Sequence, residues 1–182
     1  MLSAFLMDLV PVRKAAFLYG SVEPDIILVS YLSGSMHGKS FHGHDYRNMS
    51  KRIQSVLARM QEGKGHGLLH SYRLGKLIHY IADSFTFPHN EMFHGSLRSH
   101  MLYEDKLEEG LQRRLKDMQA ESCTLPPAFL LSHVFSCHAE YARRAGSAET
   151  DLDYILRLSA AAAFSLTSGE HAAVMLTAEG LS

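Results

Sequence analysis

Tryptophan is absent from this chain, and in 182 residues there are only two cysteines and five prolines. Cys123 and Cys137 stand fourteen apart, a spacing that matches no metal-binding or redox motif, so a disulfide-dense scaffold is excluded and two buried thiols are expected. No sign of charge prevails: 18 lysines and arginines face 19 aspartates and glutamates. That leaves no electrostatic footprint for long nucleic acids or an anionic membrane surface. Long apolar runs are missing too. The least polar stretch, Leu158 to Leu166, is too short to cross a bilayer and is soon followed by Glu170 and His171. The first ten residues lack a basic start and are interrupted by Asp8, so they do not read as a signal peptide, and a cytoplasmic location is expected.

What is present is an ordinary globular composition, 46% hydrophobic and 20% charged. A chain of this length is expected to form one domain, spanning 1–182, large enough to bury roughly two-thirds of its unfolded surface. The unusual feature is histidine, which occurs twelve times.

The hydrophobic period is helical nearly throughout, and no β alternation survives arbitration by length, so the fold class is all-α: a single-domain helical bundle. Pro11 separates two short N-terminal pieces, the second ending at Gly20. Gly20-Ser-Val-Glu-Pro-Asp25 reads as a turn-rich loop, and Ile26 to Leu32 as a short apolar helix. Residues 33–44 hold three glycines and three histidines without periodicity, which predicts a loop. Helices are then expected from Asp45 to Gln61, Leu68 to Phe87, Leu97 to Gln119 with Ser96 as N-cap, Pro126 to about Arg144, and Thr150 to Met175. Leu107, Leu111, Leu115 and Met118 make one apolar stripe. The run Ala160 to Ala163 marks a close helix–helix contact.

Two helical pairs carry the chemistry. His79-Tyr-Ile-Ala-Asp83 and His100-Met-Leu-Tyr-Glu104 each place an imidazole and a carboxylate one turn apart on one helix face, where both can bind one metal ion. Between them lies Asp83-Ser-Phe-Thr-Phe-Pro-His89, in which Pro88 turns the chain out of the helix and lets His89 fold back. Upstream stand Asp25 and the histidines at 37, 42 and 44. A lone pair of this kind is usually a solvated ion pair. Indeed, His79 and Asp83 lie off the stripe of Leu74, Leu77, Ile78, Ile81 and Phe85, as solvent-facing residues would. His100 and Glu104 continue the Leu107 stripe and are expected to point inward, which is costly unless they are paired or liganded. Mixed imidazole and carboxylate donors suit zinc, with manganese or iron as rivals. His133, His138, His70, His66, His94 and His171 read as packed, capping or isolated residues.

The stretch from Gly20-Ser-Val-Glu-Pro-Asp25 to Glu104, centred on His79-Tyr-Ile-Ala-Asp83-Ser-Phe-Thr-Phe-Pro-His89, resembles the zinc-dependent phospholipase C family. This is an all-α group of bacterial phospholipases C with fungal single-strand nucleases as relatives. The resemblance implies one Zn2+ ion held by Asp25, a histidine of the 33–44 loop, His79 and Asp83. A second would be held by His89, His100 and Glu104. His44, in Gly43-His44-Asp45-Tyr46, looks most like the family's loop ligand, with His42 and His37 as alternatives. A third family site uses the N-terminal residue, an early histidine and the bridging aspartate; no histidine here precedes His37, so two metals are expected. The aromatic residue that follows the Pro-Asp in choline-selective relatives is Ile26 in this chain, with Phe41 or Tyr46 as substitutes.

Asp25 and Asp83 are the catalytic candidates. Asp25 would serve as ligand and as acceptor of the attacking water's proton, and Asp83 would bridge or orient the metal pair. The implied activity is hydrolysis of the glycerol-side phosphodiester of phospholipids, with phospholipid or a small phosphodiester as partner and no stable membrane insertion. A nuclease or nucleotide phosphodiesterase on the same scaffold, a non-catalytic metal-binding protein, and an HD-type phosphohydrolase suggested by His44-Asp45 are the alternatives.

Overall fold

The computed structural model of the chain describes residues 1–26, 46–62, 67–116, 118–123, 125–167 and 173–178. Its helices are α1 (Leu2–Leu9), α2 (Lys14–Ile26), α3 (Tyr46–Glu62), α4 (Leu68–Ser84), α5 (Leu97–Lys116), α6 (Pro127–Tyr141) and α7 (Ala148–Thr167), with a short 3-10 turn over Phe87–His89. The class is all-α, as the periodicity predicts.

Two helices organise the rest. α7 is buried on nearly every side, including all four alanines from Ala160 to Ala163, and packs against α4, α5 and α6. A helix apolar all round belongs in a core, and four methyl-sized side chains in a row let its neighbours approach closely. α4 turns Leu74, Leu77, Ile78 and Ile81 inward and packs against α2, α3 and α7. Each of these fully buried side chains stabilises the fold by roughly 1.5–3 kcal/mol before entropy is counted. Leu107, Leu111 and Leu115 lie half-buried against this core, as their stripe predicts, and Met118 packs against it from beyond the end of α5.

Local signals set several boundaries. The Ser99 amide donates to Ser96 Oγ at 3.2 Å, the expected cap of α5. Ser147 caps α7 in the same way, accepting from the Thr150 amide at 3.1 Å. Two expectations are corrected. The Gly20–Asp25 segment is the C-terminal part of α2 rather than a loop, with Pro24 inside the helix. Gly20 is there for contact, because a Cβ at this position would stand 2.1 Å from the Tyr72 carbonyl oxygen of α4. The C-terminal ends of α5 and α7 are also shorter than predicted. Beyond them Met118–Cys123 pairs antiparallel with Ala173–Ala178, Met118 opposite Ala178 and Cys123 opposite Ala173, as strands β1 and β2 of a two-stranded ribbon. Met, Gln, Ala and Leu favour helix locally, and a pairing across some fifty residues overrides that preference. No helix among the described residues is long and apolar enough to cross a membrane.

Candidate metal centre

The α2–α4 contact places Asp25 beside His79. Glycines on both helices make it close: Gly20 meets the Tyr72 carbonyl, and a Cβ at Gly75 would lie 2.1 Å from the Phe17 carbonyl oxygen. An ion pair with its carboxylate buried, Lys76 Nζ to Glu23 Oε2 at 2.6 Å, fastens the same two helices one turn away. His79 Nε2 then lies 3.2 Å from Asp83 Oδ2 and 3.6 Å from Asp25 Oδ1. Helix spacing points His79 and Asp83 away from the core stripe, yet they are not solvent-facing. Their side chains are only 9% and 17% exposed, because α2 covers that face of α4. Burial is the largest influence on His79 and acts to lower its pKa. The charge and hydrogen bond of Asp83, with the charge of Asp25, outweigh it and hold the pKa above the ordinary histidine value.

After α4 the chain turns sharply. The Thr86 and Phe85 amides close its last turn, Pro88 opens the 3-10 turn, and His89 projects back. Asn90 holds this geometry. Its Nδ2 donates to the Ser84 and Thr86 carbonyls at 3.2 and 2.9 Å, and its Oδ1 accepts from His138 Nε2 at 2.9 Å. The Ser84 carbonyl at the end of α4 is thereby given a donor, and the Thr86 carbonyl, already bonded by the His89 amide, a second one.

His89 Nε2 reaches Glu104 Oε1 at 3.2 Å, and His100 Nε2 reaches the same oxygen at 2.9 Å. One donor atom from each of the three residues lies within 4.8 Å of the other two. The fit to zinc follows from size. Bonds of 2.0–2.1 Å at tetrahedral angles separate neighbouring donors by about 3.3 Å and leave one position open for water or substrate. His100 and Glu104 are more exposed than their stripe predicts, at 27% and 48% of their side chains. They sit where α5 runs past the core's edge. The hydrogen bond from His89 is the main influence on Glu104; with the charge and hydrogen bond of His100 it holds the carboxyl below its ordinary range, against burial.

Asp25, His79, Asp83, His89 and Glu104 all line one cleft of about 440 Å³, and His100 joins it through Glu104. Its remaining wall is mostly aliphatic, including Leu18, Val22, Leu107 and Leu111, with Glu108 at its edge. Of the predicted residues, His44, His42 and His37 lie outside the described residues, as does Phe41. Tyr46 is described and does not face this cleft, its ring lying parallel to His138 within 3°. Of the other histidines, His138 is buried and His70 Nε2 pairs with the Leu166 carbonyl at 2.9 Å, as packed residues would, while His66 and His171 lie outside the described residues. Cys137 is buried with a free thiol.

One buried residue bonded to the segments beside His89 and Glu104 carries no sequence signal. Asp151, fully buried in the first turn of α7, accepts hydrogen bonds from the Phe87 amide and from the hydroxyls of Tyr103 and Tyr141. An acidic residue early in a helix is common enough to pass unnoticed, and its partners are 48 or more residues upstream except for Tyr141.

The family model described as zinc dependent phospholipase C matches residues 3–148, and the chain belongs to that family. No curated protein and no solved structure matches the chain significantly.

Proposed function

We propose that this protein hydrolyses phosphodiesters in the cleft that joins Asp25, His79 and Asp83 to His89, His100 and Glu104, and that phospholipids are its substrate class. The observation that carries the reading is this convergence of two histidine–carboxylate groups, from α2, α4, the Phe87–His89 turn and α5, on one opening. The first group, completed by His44 of the 33–44 segment, would hold one zinc, and the second group the other. Bound there, zinc supplies charge neutralisation for an anionic phosphate and a water molecule ionised near neutral pH.

The chain's own residues do the remainder. Asp25, 54% exposed at the end of α2, is the carboxylate that an incoming water can reach, and it accepts the water's proton. Asp83, shielded and tied to His79, keeps that imidazole oriented. Attack of the water oxygen on phosphorus breaks the bond to the glycerol oxygen, which takes a proton from solvent and leaves as diacylglycerol, the headgroup departing as its phosphomonoester.

The lining favours a lipid over a nucleotide. Among the described residues it has no phenylalanine or tyrosine on which a base could stack and no lysine or arginine to track a polyanion. Leu18, Val22, Leu107 and Leu111 instead offer apolar surface to a glycerol backbone and the start of its acyl chains.

The test is metal content per chain by elemental analysis, with hydrolysis of short-chain phosphatidylcholine, phosphatidylethanolamine and a dinucleotide followed in the same sample. Two zincs and chelator-sensitive release of diacylglycerol support the proposal. Hydrolysis of the dinucleotide alone transfers the activity to nucleotides. Zinc uptake without any turnover overturns the enzymatic reading.

A further inference from the structure

We infer that Asp151 is a positioning residue that sets the distance between His89 and Glu104, and with it the zinc affinity of the His89–His100–Glu104 group. The inference rests on the metal-binding part of the function proposed above.

The two oxygens of Asp151 divide their work. Oδ2 accepts from the Phe87 amide at 2.7 Å and from the Tyr103 hydroxyl at 2.8 Å. Phe87 stands two residues before His89, and Tyr103 immediately precedes Glu104. One oxygen atom therefore joins the turn that carries one donor to the helix that carries the other two. Oδ1 accepts from the Tyr141 hydroxyl at 2.8 Å, a bond to α6 that touches no donor segment.

His89 and Glu104 also meet directly across this gap, but as candidate donors they would exchange that bond for the metal, whereas the Asp151 carboxylate would keep its ties. The turn is only three residues long and begins after the last hydrogen bonds of α4, so its own ladder cannot hold it rigid. Phe87 and Tyr103 also approach as rings, with centroids 5.9 Å apart, but a ring contact tolerates sliding that a hydrogen-bonded carboxylate does not. Asp151 is itself held by three hydrogen bonds. It has no exposed surface, stands in the first turn of a core helix capped by Ser147, and benefits there from the positive end of the helix dipole. Both tyrosines hold their protons more firmly than a free tyrosine, chiefly through burial, and so remain donors to it. Asp151 also lies beyond the residues that the family model matches, 3–148.

Zinc donors must be held within a few tenths of an ångström, and loss of an outer partner that orients a donor weakens metal binding by about 10–100-fold. The experiment compares zinc dissociation constants by chelator competition for the wild type, Asp151→Asn, Tyr103→Phe and Tyr141→Phe. His100→Ala identifies which binding step belongs to the triad, and cobalt substitution gives that step a visible spectrum. Asp151→Asn is expected to weaken the triad's step by about 10–100-fold and to shift the cobalt bands, leaving the step at Asp25, His79 and Asp83 within about twofold. Tyr103→Phe is expected to follow it in part. Tyr141→Phe, which removes a bond of the same length from the same carboxylate, lowers the urea midpoint but leaves the triad's affinity within about twofold of wild type.

Equal effects of Tyr103→Phe and Tyr141→Phe on that affinity, or wild-type affinity in Asp151→Asn, overturn the positioning role. A wild-type chain whose triad binds no zinc overturns this inference together with the metal site. A wild type that binds zinc but hydrolyses nothing overturns the enzymatic reading alone, and the comparison of variants still decides the role of Asp151.

Discussion

Gly75 of α4 faces the backbone carbonyl of Phe17 on α2 with no room for a side chain, a Cβ there standing 2.1 Å from the oxygen. This contact sets how close α2 comes to α4, and so how close Asp25 comes to His79.

Gly75→Ala therefore tests the link between helix contact and site. Alanine is the better helix former by up to about 1 kcal/mol, but a clash against backbone cannot relax by rotating a side chain. We expect net destabilisation of about 1–3 kcal/mol in urea denaturation, with weaker zinc uptake at the Asp25 side. An unchanged midpoint and unchanged metal content would show that the two helices are held apart by more than this glycine allows.

Asp83→Asn keeps the size of the side chain and removes its charge. With it go a candidate zinc donor and the main support for the raised pKa of His79. Zinc content should fall by about one equivalent and turnover by at least about a hundredfold, read by elemental analysis and diacylglycerol release. Full zinc content at a normal rate would remove Asp83 from the centre.

The Lys76–Glu23 pair gives a stability prediction. Lys76 carries a raised pKa: burial, the largest influence, lowers it, but the hydrogen bond to Glu23 leads the effects that outweigh it. Lys76→Met leaves the Glu23 carboxylate in a site only 9% exposed without its cation, which should cost about 2–4 kcal/mol. Adding Glu23→Gln should recover part of that loss. A double variant as unstable as the sum of the two single ones would show that the charges do not interact.

His138 gives the pH dependence. Burial pushes its pKa down to about 4, whereas an unfolded chain titrates near 6.5. The native state thus binds fewer protons between these values. The stability from a neutral His138 is fully present above about pH 6.5 and is lost as pH falls towards 4, by about 3 kcal/mol in all. Urea midpoints measured with a chelator present throughout should fall along this window in the wild type and less steeply in His138→Gln. Parallel curves would assign the acid sensitivity to other groups.

The candidate donors were legible because their geometry is local. His79 and Asp83, and His100 and Glu104, are pairs one helical turn apart, and Pro88 between them forces the turn that brings His89 back. The burial of those pairs was not legible, because it depends on a neighbour. Periodicity within α4 can say that His79 and Asp83 leave the core stripe, but not that α2 will lie over them. The same limit explains Gly20–Asp25. Glycine and proline in six residues read as a turn when only the chain itself is considered, and as helix once the Tyr72 carbonyl demands a residue without a side chain.

The helical class, most helix starts, and a set of imidazoles and carboxylates at spacings that suit a metal can be read from the residues directly. These follow from 3.6-residue periodicity, capping chemistry and the reach of a single turn. It takes the packed helices to bring both candidate donor groups to one cleft, to cover His79 while leaving Glu104 half open, and to tie the His89 turn to α5 through Asp151. Each of those depends on contacts between segments tens of residues apart, where the free energy of burying one surface against another outweighs any preference the local chain can express.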